Sequence, residues 1–298
     1  MALRGGRVLL RPGRRSRGGA GLSGLAAGAW CLLAATATHA GGAWVPARGL
    51  NYVELSTTYA STDLRYDAAG SPAPFERLGP GSPRTTYRDF GLHLYGEAGL
   101  GRGFGIEGDV TWRSARALEP ATIFRTNGPA DARLQLKRGF RAGSILWAVS
   151  VEGRFPMGYD AADYPSLGSG HTDAGANLHV GSGNRVGYVT GEIGILKRGG
   201  PERDEWPYAV QAGLNLTRTL QLIGDARGHG VFGNISDAAG AGAAFDPQTA
   251  SSRLTMVGPG AAYAPVSGLR ISANAWRSVA GANVPRGWMW KFGVARTR

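Results

Sequence analysis

From about residue 50 to the C-terminus, apolar and polar side chains alternate with period two. That is the repeat of a strand with two unlike faces. In RDFGLHLYGEAGL, Phe90, Leu92 and Leu94 share one face, and Asp89, His93, Tyr95 and Glu97 the other. In FGIEGDVTWR, Phe104, Ile106, Val110 and Trp112 stand opposite Glu107, Asp109, Thr111 and Arg113. In SILWAVSVEGR, Ile145, Trp147, Val149 and Val151 stand opposite Ser150, Glu152 and Arg154. Helical spacing fits none of these better. Twelve segments are predicted, over about 50–66, 86–98, 104–118, 130–140, 144–156, 172–182, 186–197, 205–217, 219–232, 251–264, 268–280 and 287–297. Most reach the roughly 9–11 residues that a tilted membrane-crossing strand needs.

The connections alternate too. Long ones such as DAAGSPAPFERLGPGSPRT, EPATIFRTNGP, MGYDAADYPSLGSGH, RGGPERDE and GNISDAAGAGAAFDPQTA take turns with GLGRG, RAG, GNR, TR and PVSG. Barrels of the outer membrane have short turns at one end and longer loops at the other. Within a bilayer every backbone donor and acceptor must pair internally, so strands cross only as a closed barrel. The expected fold is therefore all-β: a membrane-spanning, antiparallel, up-and-down β-barrel of about 12 strands. Trp112, Trp206, Tyr208, Trp276, Trp288 and Trp290 fall near strand ends, as an interfacial girdle requires. The competing fold is a soluble secreted β-sandwich, whose apolar faces would be hidden in a core. The last segment, GWMWKFGVARTR, puts Phe292 six residues before the end. The residues after it read as a short basic overhang.

The first forty residues differ. MALRGGRVLLRPGRRSRGGA carries six Arg and no acid, GLSGLAAGAWCLLAATA is small and apolar, and THA precedes GGAW. This is the layout of a secretory signal, with cleavage expected after Ala40 and after Ala37 as the next choice. Residues 1–40 are thus expected to be a cleaved signal peptide and 41–298 the barrel. Cys31 lies inside the signal, so the mature chain has no disulfide or thiolate site. Six of the 33 Lys and Arg leave with the signal, and the formal net charge falls from +12 to +6. Much of the basicity belongs to export rather than to a nucleic-acid surface.

Reactive sites compete with plain lining residues as readings of the polar motifs. GSGHTD lacks the glycine spacing and the following Lys-Ser/Thr of a phosphate loop, and it leads into a strand rather than a helix N-terminus. His93, His171, His179 and His229 sit on different segments, with no helical metal spacing. Neither a cofactor nor a metal is expected. A lipase on a barrel wall needs a serine, a histidine and an orienting group brought together. No Ser–His pair is forced together by the sequence, and His93 and His179 are expected to point inward. No enzymatic activity is expected, with the lipase kept as the least favoured alternative.

The polar faces supply the expected lumen lining. These are Glu54 on the first segment, Asp89, His93 and Glu97 on the second, and Glu107, Asp109 and Arg113 on the third. Arg133, Lys137, Glu152 and Arg154 follow on the fourth and fifth, then Asp173, His179 and Glu192 on the sixth and seventh. Asp225, Arg227, Arg270 and Lys291 complete the set. Cross-strand ion pairs filling a narrow barrel and a polar channel lining both fit these residues. A twelve-stranded barrel lies between filled small barrels and open porins, so a partly occluded pore is expected. The residues GGAWVPARGL before the first strand are a candidate for folding into the periplasmic mouth. Tyr164–His171 is expected to be the end of an outward loop at the pore rim.

Three stretches carry a family resemblance. GPADARLQLKRGF resembles a Gly-x-x-Asp-x-x-Leu-x-x-Lys segment, with Ala130 standing at a usual glycine position. LGSGHTDAGANLHVG resembles a Leu-Gly-x-Gly-x-Thr-Asp segment that leads into a strand. GGAWVPARGLNYVELSTTYAST looks like a matching first strand. Together, from about Trp44 to Phe292, they resemble the outer-membrane barrels grouped as the "meta-pathway of phenol degradation" family. The resemblance implies uptake of small, often aromatic or hydrophobic, compounds.

The expected function is a passive channel for small molecules in the outer membrane of a Gram-negative bacterium. Its expected partners are outer-membrane lipids, the solute and the barrel-assembly machinery, with no nucleic acid. The alternative is a structural or surface-binding barrel whose loops, RGGPERDEW and the glycine-rich 233–250 among them, contact polysaccharide or a partner.

Overall fold

The structure, a computed structural model, describes residues 42–75, 85–118, 122–160, 162–235 and 251–298. The expected signal peptide and residues 236–250 of the glycine-rich loop lie outside the described residues. The elements in chain order are β1 (Asn51–Thr62), β2 (Leu64–Tyr66), β3 (Pro72–Pro74), β4 (Thr86–Gly101), β5 (Phe104–Leu118), β6 (Ile123–Pro129), β7 (Asp131–Ala142) and β8 (Ile145–Pro156). Then come β9 (Asp173–Gly183), β10 (Gly187–Lys197), β11 (Glu205–Asn215), β12 (Leu220–Val231), β13 (Arg253–Tyr263), β14 (Leu269–Ala282), β15 (Val284–Pro285) and β16 (Trp288–Thr297).

The long strands pair antiparallel in sequence order from β4 to β16, and β1 closes the ring by pairing with both β16 and β4. The wall has twelve strands, because β6 and β7 form one strand with a bulge. Asp109 pairs with Arg133, whereas Trp112 pairs with Pro129, so the register slips by one residue. EPATIFRTNGP is therefore not all loop, as expected from sequence: its second half extends the wall. A bulge sets two consecutive residues against one partner and changes which parity faces inward. Accordingly Gly128 and Ala130 are buried on the inner side above it, while Gln135 and Lys137 are buried below it.

The overhang expected after Phe292 is not one. Val294, Ala295, Arg296 and Thr297 all pair with β1. Arg298 and Asn51 exchange both backbone hydrogen bonds at 2.9 Å. Pairing with β1 thus runs through Arg298 and closes the ring between the first and last wall strands. Both ends of the barrel-forming chain and the short turns lie at one end of the barrel, and the long loops lie at the other. The two-residue turn between β4 and β5, at Gly101-Arg102-Gly103, has φ of 92°, 54° and 80°, a left-handed run that only glycine-rich sequence makes cheap.

The faces are those of a membrane barrel rather than a sandwich. Leu55, Leu94, Val110, Val151, Ile193, Val210, Leu222 and Phe292 are exposed on the outside. Glu54, Glu107, Gln135, Lys137, Glu152 and Asp173 are buried on the inside. An apolar exterior of this extent needs lipid around it. Trp288 stacks on Trp290 and Trp206 on Tyr208 along that exterior. Trp276 departs from the expected girdle. It is 4 % exposed, points inward and donates to Asp225 Oδ1 at 2.9 Å.

Candidate functional site

The eighteen side chains expected to line the lumen all stand on the inner face. They form short clusters rather than one network. At the long-loop end Arg113 makes a bidentate pair with Asp89, donates to Tyr87 Oη at 3.0 Å and reaches the Leu167 carbonyl at 3.1 Å. In the middle, Lys137 pairs with Glu107, and Glu152 receives Arg154 at 2.9 Å with Arg133 at 3.6 Å. His93 sits between Thr58 and Thr111, 2.9 and 2.8 Å from its two ring nitrogens. Across the barrel Asp225 accepts from Arg227, Gln211 and Trp276. Arg270 donates to Gln221 Oε1 at 2.8 Å, and Lys291 pairs with Glu54. Asp173 is held by Arg198, a loop residue that also pairs with Glu205. Asp109, within reach of Thr111, and Glu97 lie along the same wall.

This lining is not packed shut. Inside a closed wall, the side chains of Arg133 and Arg154 keep 31 % exposure, Lys291 29 % and Arg227 40 %. Water therefore reaches these four side chains.

The long-loop end is narrowed by its own loops. β2, β3 and β15 form a small three-stranded sheet there, in which Tyr66 pairs with Val284 and Leu64 with Pro74. That sheet turns Phe75 inward, where it is fully buried and stacks on Tyr87 at 5.2 Å. The loop after β8 turns inward too. Residues 165–169 are buried, and Leu167 packs on Ala115 and Ala130. Tyr159 donates to Asp131 and accepts from the Gly170 amide at 2.8 Å. Burial, with the Asp131 hydrogen bond acting the same way, raises the Tyr159 hydroxyl well above its ordinary value, so it stays a donor. Tyr164–His171 is thus more than a rim: its central residues sit within the mouth.

The short-turn end is crossed by residues 42–49. Lys137 Nζ donates to the Gly42 carbonyl at 2.9 Å, and Trp44 meets Tyr188 edge to face at 5.8 Å. The segment lies on inward-facing glycines. A Cβ on Gly181 would stand 3.0 Å from Trp44, one on Gly139 2.9 Å from Val45, and one on Gly105 3.0 Å from Val45. At Gly99 it would come within 2.1 Å of the Ala47 carbonyl and 2.4 Å of that of Pro46. Gly99 also donates to the Leu50 carbonyl at 3.1 Å. Gly99→Ala is therefore expected to lift the 46–47 backbone while leaving the wall intact. A cysteine at position 43, 2 % exposed in the parent, should become open to maleimide in the Gly99→Ala background and stay protected without it.

One arrangement escaped the sequence. Ser150, His179 and Glu192 meet on adjacent strands, with Oγ 2.9 Å from Nε2 and Nδ1 3.2 Å from the Glu192 carboxylate. Ser150 and His179 lie on a diagonal of the β8–β9 register, and His179 lies directly opposite Glu192. The trio resembles a nucleophile–base–acid relay, and the parity of positions 150 and 179 on neighbouring strands was the signal available for it. Its details fit a structural role better. The Nδ1 approach lacks hydrogen-bond alignment, Gln135 already donates to Ser150 Oγ, and the backbone amides of these three strands serve the wall ladder. An oxyanion needs preorganised donors that are free.

No protein-family model matches the chain, and no curated protein matches it. Solved structures do. The crystal structure of an outer membrane channel from Pseudomonas putida F1 aligns with a TM-score of 0.65 at 13 % identity, over 88 % of this chain and 100 % of that one. The translocator domain of the autotransporter NalP from Neisseria meningitidis aligns at 0.47, with 12 % identity over 92 % and 95 % of the two chains. The Pseudomonas putida toluene transporter TodX aligns at 0.44, with 10 % identity over 85 % and 90 %. The first of these likenesses shows the fold: this chain is an outer-membrane-type β-barrel.

Proposed function

We propose that this barrel is a passive outer-membrane channel for small molecules, exported by its first forty residues and built from residues 41–298. The observation that carries the reading is the solvent-accessible, two-signed charged lining around Arg133, Arg154, Arg227 and Lys291 inside a closed apolar-coated wall. A barrel filled only to brace itself has no need of paired charges left partly exposed. Aromatic rings stand at both narrow ends: Phe75 and Tyr87 at one, and Trp44, Tyr52, Tyr95 and Tyr188 at the other. Rings above and below a charged waist suit compact solutes with a flat apolar body and a polar group. Such solutes agree with the aromatic or hydrophobic compounds that the family resemblance implies, and with what TodX is said to transport.

Ion conduction in planar bilayers tests this reading. The wild-type barrel should conduct, and replacing Arg154 and Arg227 together with Gln should shift the reversal potential in a salt gradient toward cation selectivity, because wall charges set the local ion population. A conducting barrel whose selectivity ignores both residues would place the path elsewhere.

A further inference from the structure

On the lipid-facing side of the long-loop end, three arginines stand in a row. Arg88 on β4 is directly opposite Arg116 on β5, and Arg116 is directly opposite Arg125 on β6. All three share the outward parity of Phe90, Trp112 and Ile123, which are exposed. Like charges opposite one another in a sheet repel. Among the described residues none of the three has a carboxylate partner. Arg125 donates to Asn127 Oδ1 at 3.0 Å, and Asp89 beside them is turned inward to Arg113. Among the described residues the wall thus holds three guanidinium groups together with no carboxylate paired to them, since Asp89, which borders the same groove, is taken by Arg113.

Their depth is informative. Phe90 lies one outward position below Arg88 and Trp112 two below Arg116, with Tyr59 opposite Phe90. At about 6.8 Å for each pair of residues, the guanidiniums lie roughly 7–13 Å beyond the aromatic belt. Such belts mark the headgroup boundary. The row and the aromatics line one groove of about 590 Å³. Two strand spacings separate the outer arginines, about 10 Å. That is wide for a single phosphodiester and suits a headgroup with two phosphates.

We propose that Arg88, Arg116 and Arg125 form a binding site for the phosphates of a bisphosphorylated glycolipid of the outer leaflet, with its acyl chains along Phe90 and Trp112. Arginine presents a planar fork that takes phosphate oxygens in pairs, and bound phosphate removes the repulsion along the row. The proposal rests on the reading that the long-loop end faces outward in an outer membrane.

The test uses the folded full-length barrel in neutral detergent, titrated separately with bisphosphoryl lipid A, its monophosphoryl form, phosphatidylglycerol and inorganic phosphate. Thermal unfolding and native mass spectrometry are the readouts. Bisphosphoryl lipid A should raise the unfolding midpoint and persist as an adduct, and the monophosphoryl form should bind roughly tenfold more weakly. Phosphatidylglycerol and inorganic phosphate should do less. The triple variant R88Q/R116Q/R125Q should lose the adduct and the shift, and without lipid should be at least as stable as the parent. If the triple variant does not fold, R116Q alone, which breaks the row at its centre, gives the same comparison. Equal lipid A binding by parent and variant, or an equal shift from phosphatidylglycerol or inorganic phosphate, overturns the proposal. Neither readout depends on conduction, so a barrel that binds the lipid but passes no solute sinks the channel reading and leaves this one standing.

Discussion

Lys137→Met should destabilise the folded barrel by about 3–5 kcal/mol, the cost typical of removing one member of a buried ion pair. Lys137 is 1 % exposed and Glu107, its partner, 3 %. The methionine fills the volume but leaves the Glu107 carboxylate in the wall without its cation. The same ammonium holds the Gly42 carbonyl, so the substitution also releases the start of the segment that crosses the short-turn end. Urea titration of the barrel in lipid vesicles measures the loss. The double variant Lys137→Met/Glu107→Gln should recover a large part of it, because the uncompensated charge, rather than the missing contact, dominates the cost. No recovery in the double variant would show that packing, not charge, sets the stability here.

Deleting residues 42–48 should raise single-channel conductance roughly tenfold, by removing a stretch of backbone that lies inside the wall at the short-turn end. The segment's seat is made of absences. Gly99, Gly105, Gly139 and Gly181 all face inward, and each leaves room that a Cβ would take. Removing the guest leaves a groove in an otherwise intact wall, because β1 begins only at Asn51 and the β1–β16 closure does not involve the deleted residues. The deletion variant should therefore keep the heat-modifiable gel mobility of a folded barrel. An unchanged conductance would place the narrowest point at the other end, where Phe75 and Leu167 turn inward.

Period-two alternation carried most of the fold. It located the twelve wall strands and separated the lipid side from the lumen side, because parity on a strand is a local property that needs no partner. Trp276 shows where a second rule misled. It shares parity with Arg270 and so belonged to the lumen, but tryptophan near a strand end suggested the girdle. Parity won because Asp225, two strands away on β12, offered its indole N–H a partner. The bulge at Pro129–Ala130 was hidden in a stretch rich in loop-forming residues, since a one-residue slip shows only when both strands are seen together. The inward turn of Phe75 and of residues 165–169 was not readable either. It depends on Tyr87, Ala115 and Arg113, which the fold alone brings near. The inner segment left a signal that can be read after the fact: four glycines at inward positions, where a wall without a guest would place side chains.

A water-accessible path through this barrel, narrowed by residues 42–48, can be tested without electrodes. Liposome flux of small neutral solutes, measured in parallel for the wild-type barrel and the 42–48 deletion, tests it most directly. Flux above that of protein-free liposomes is expected for wild type, with a larger flux for the deletion and a size cutoff that rises between the two. Flux at the protein-free level from both, with both shown to be folded, would contradict it.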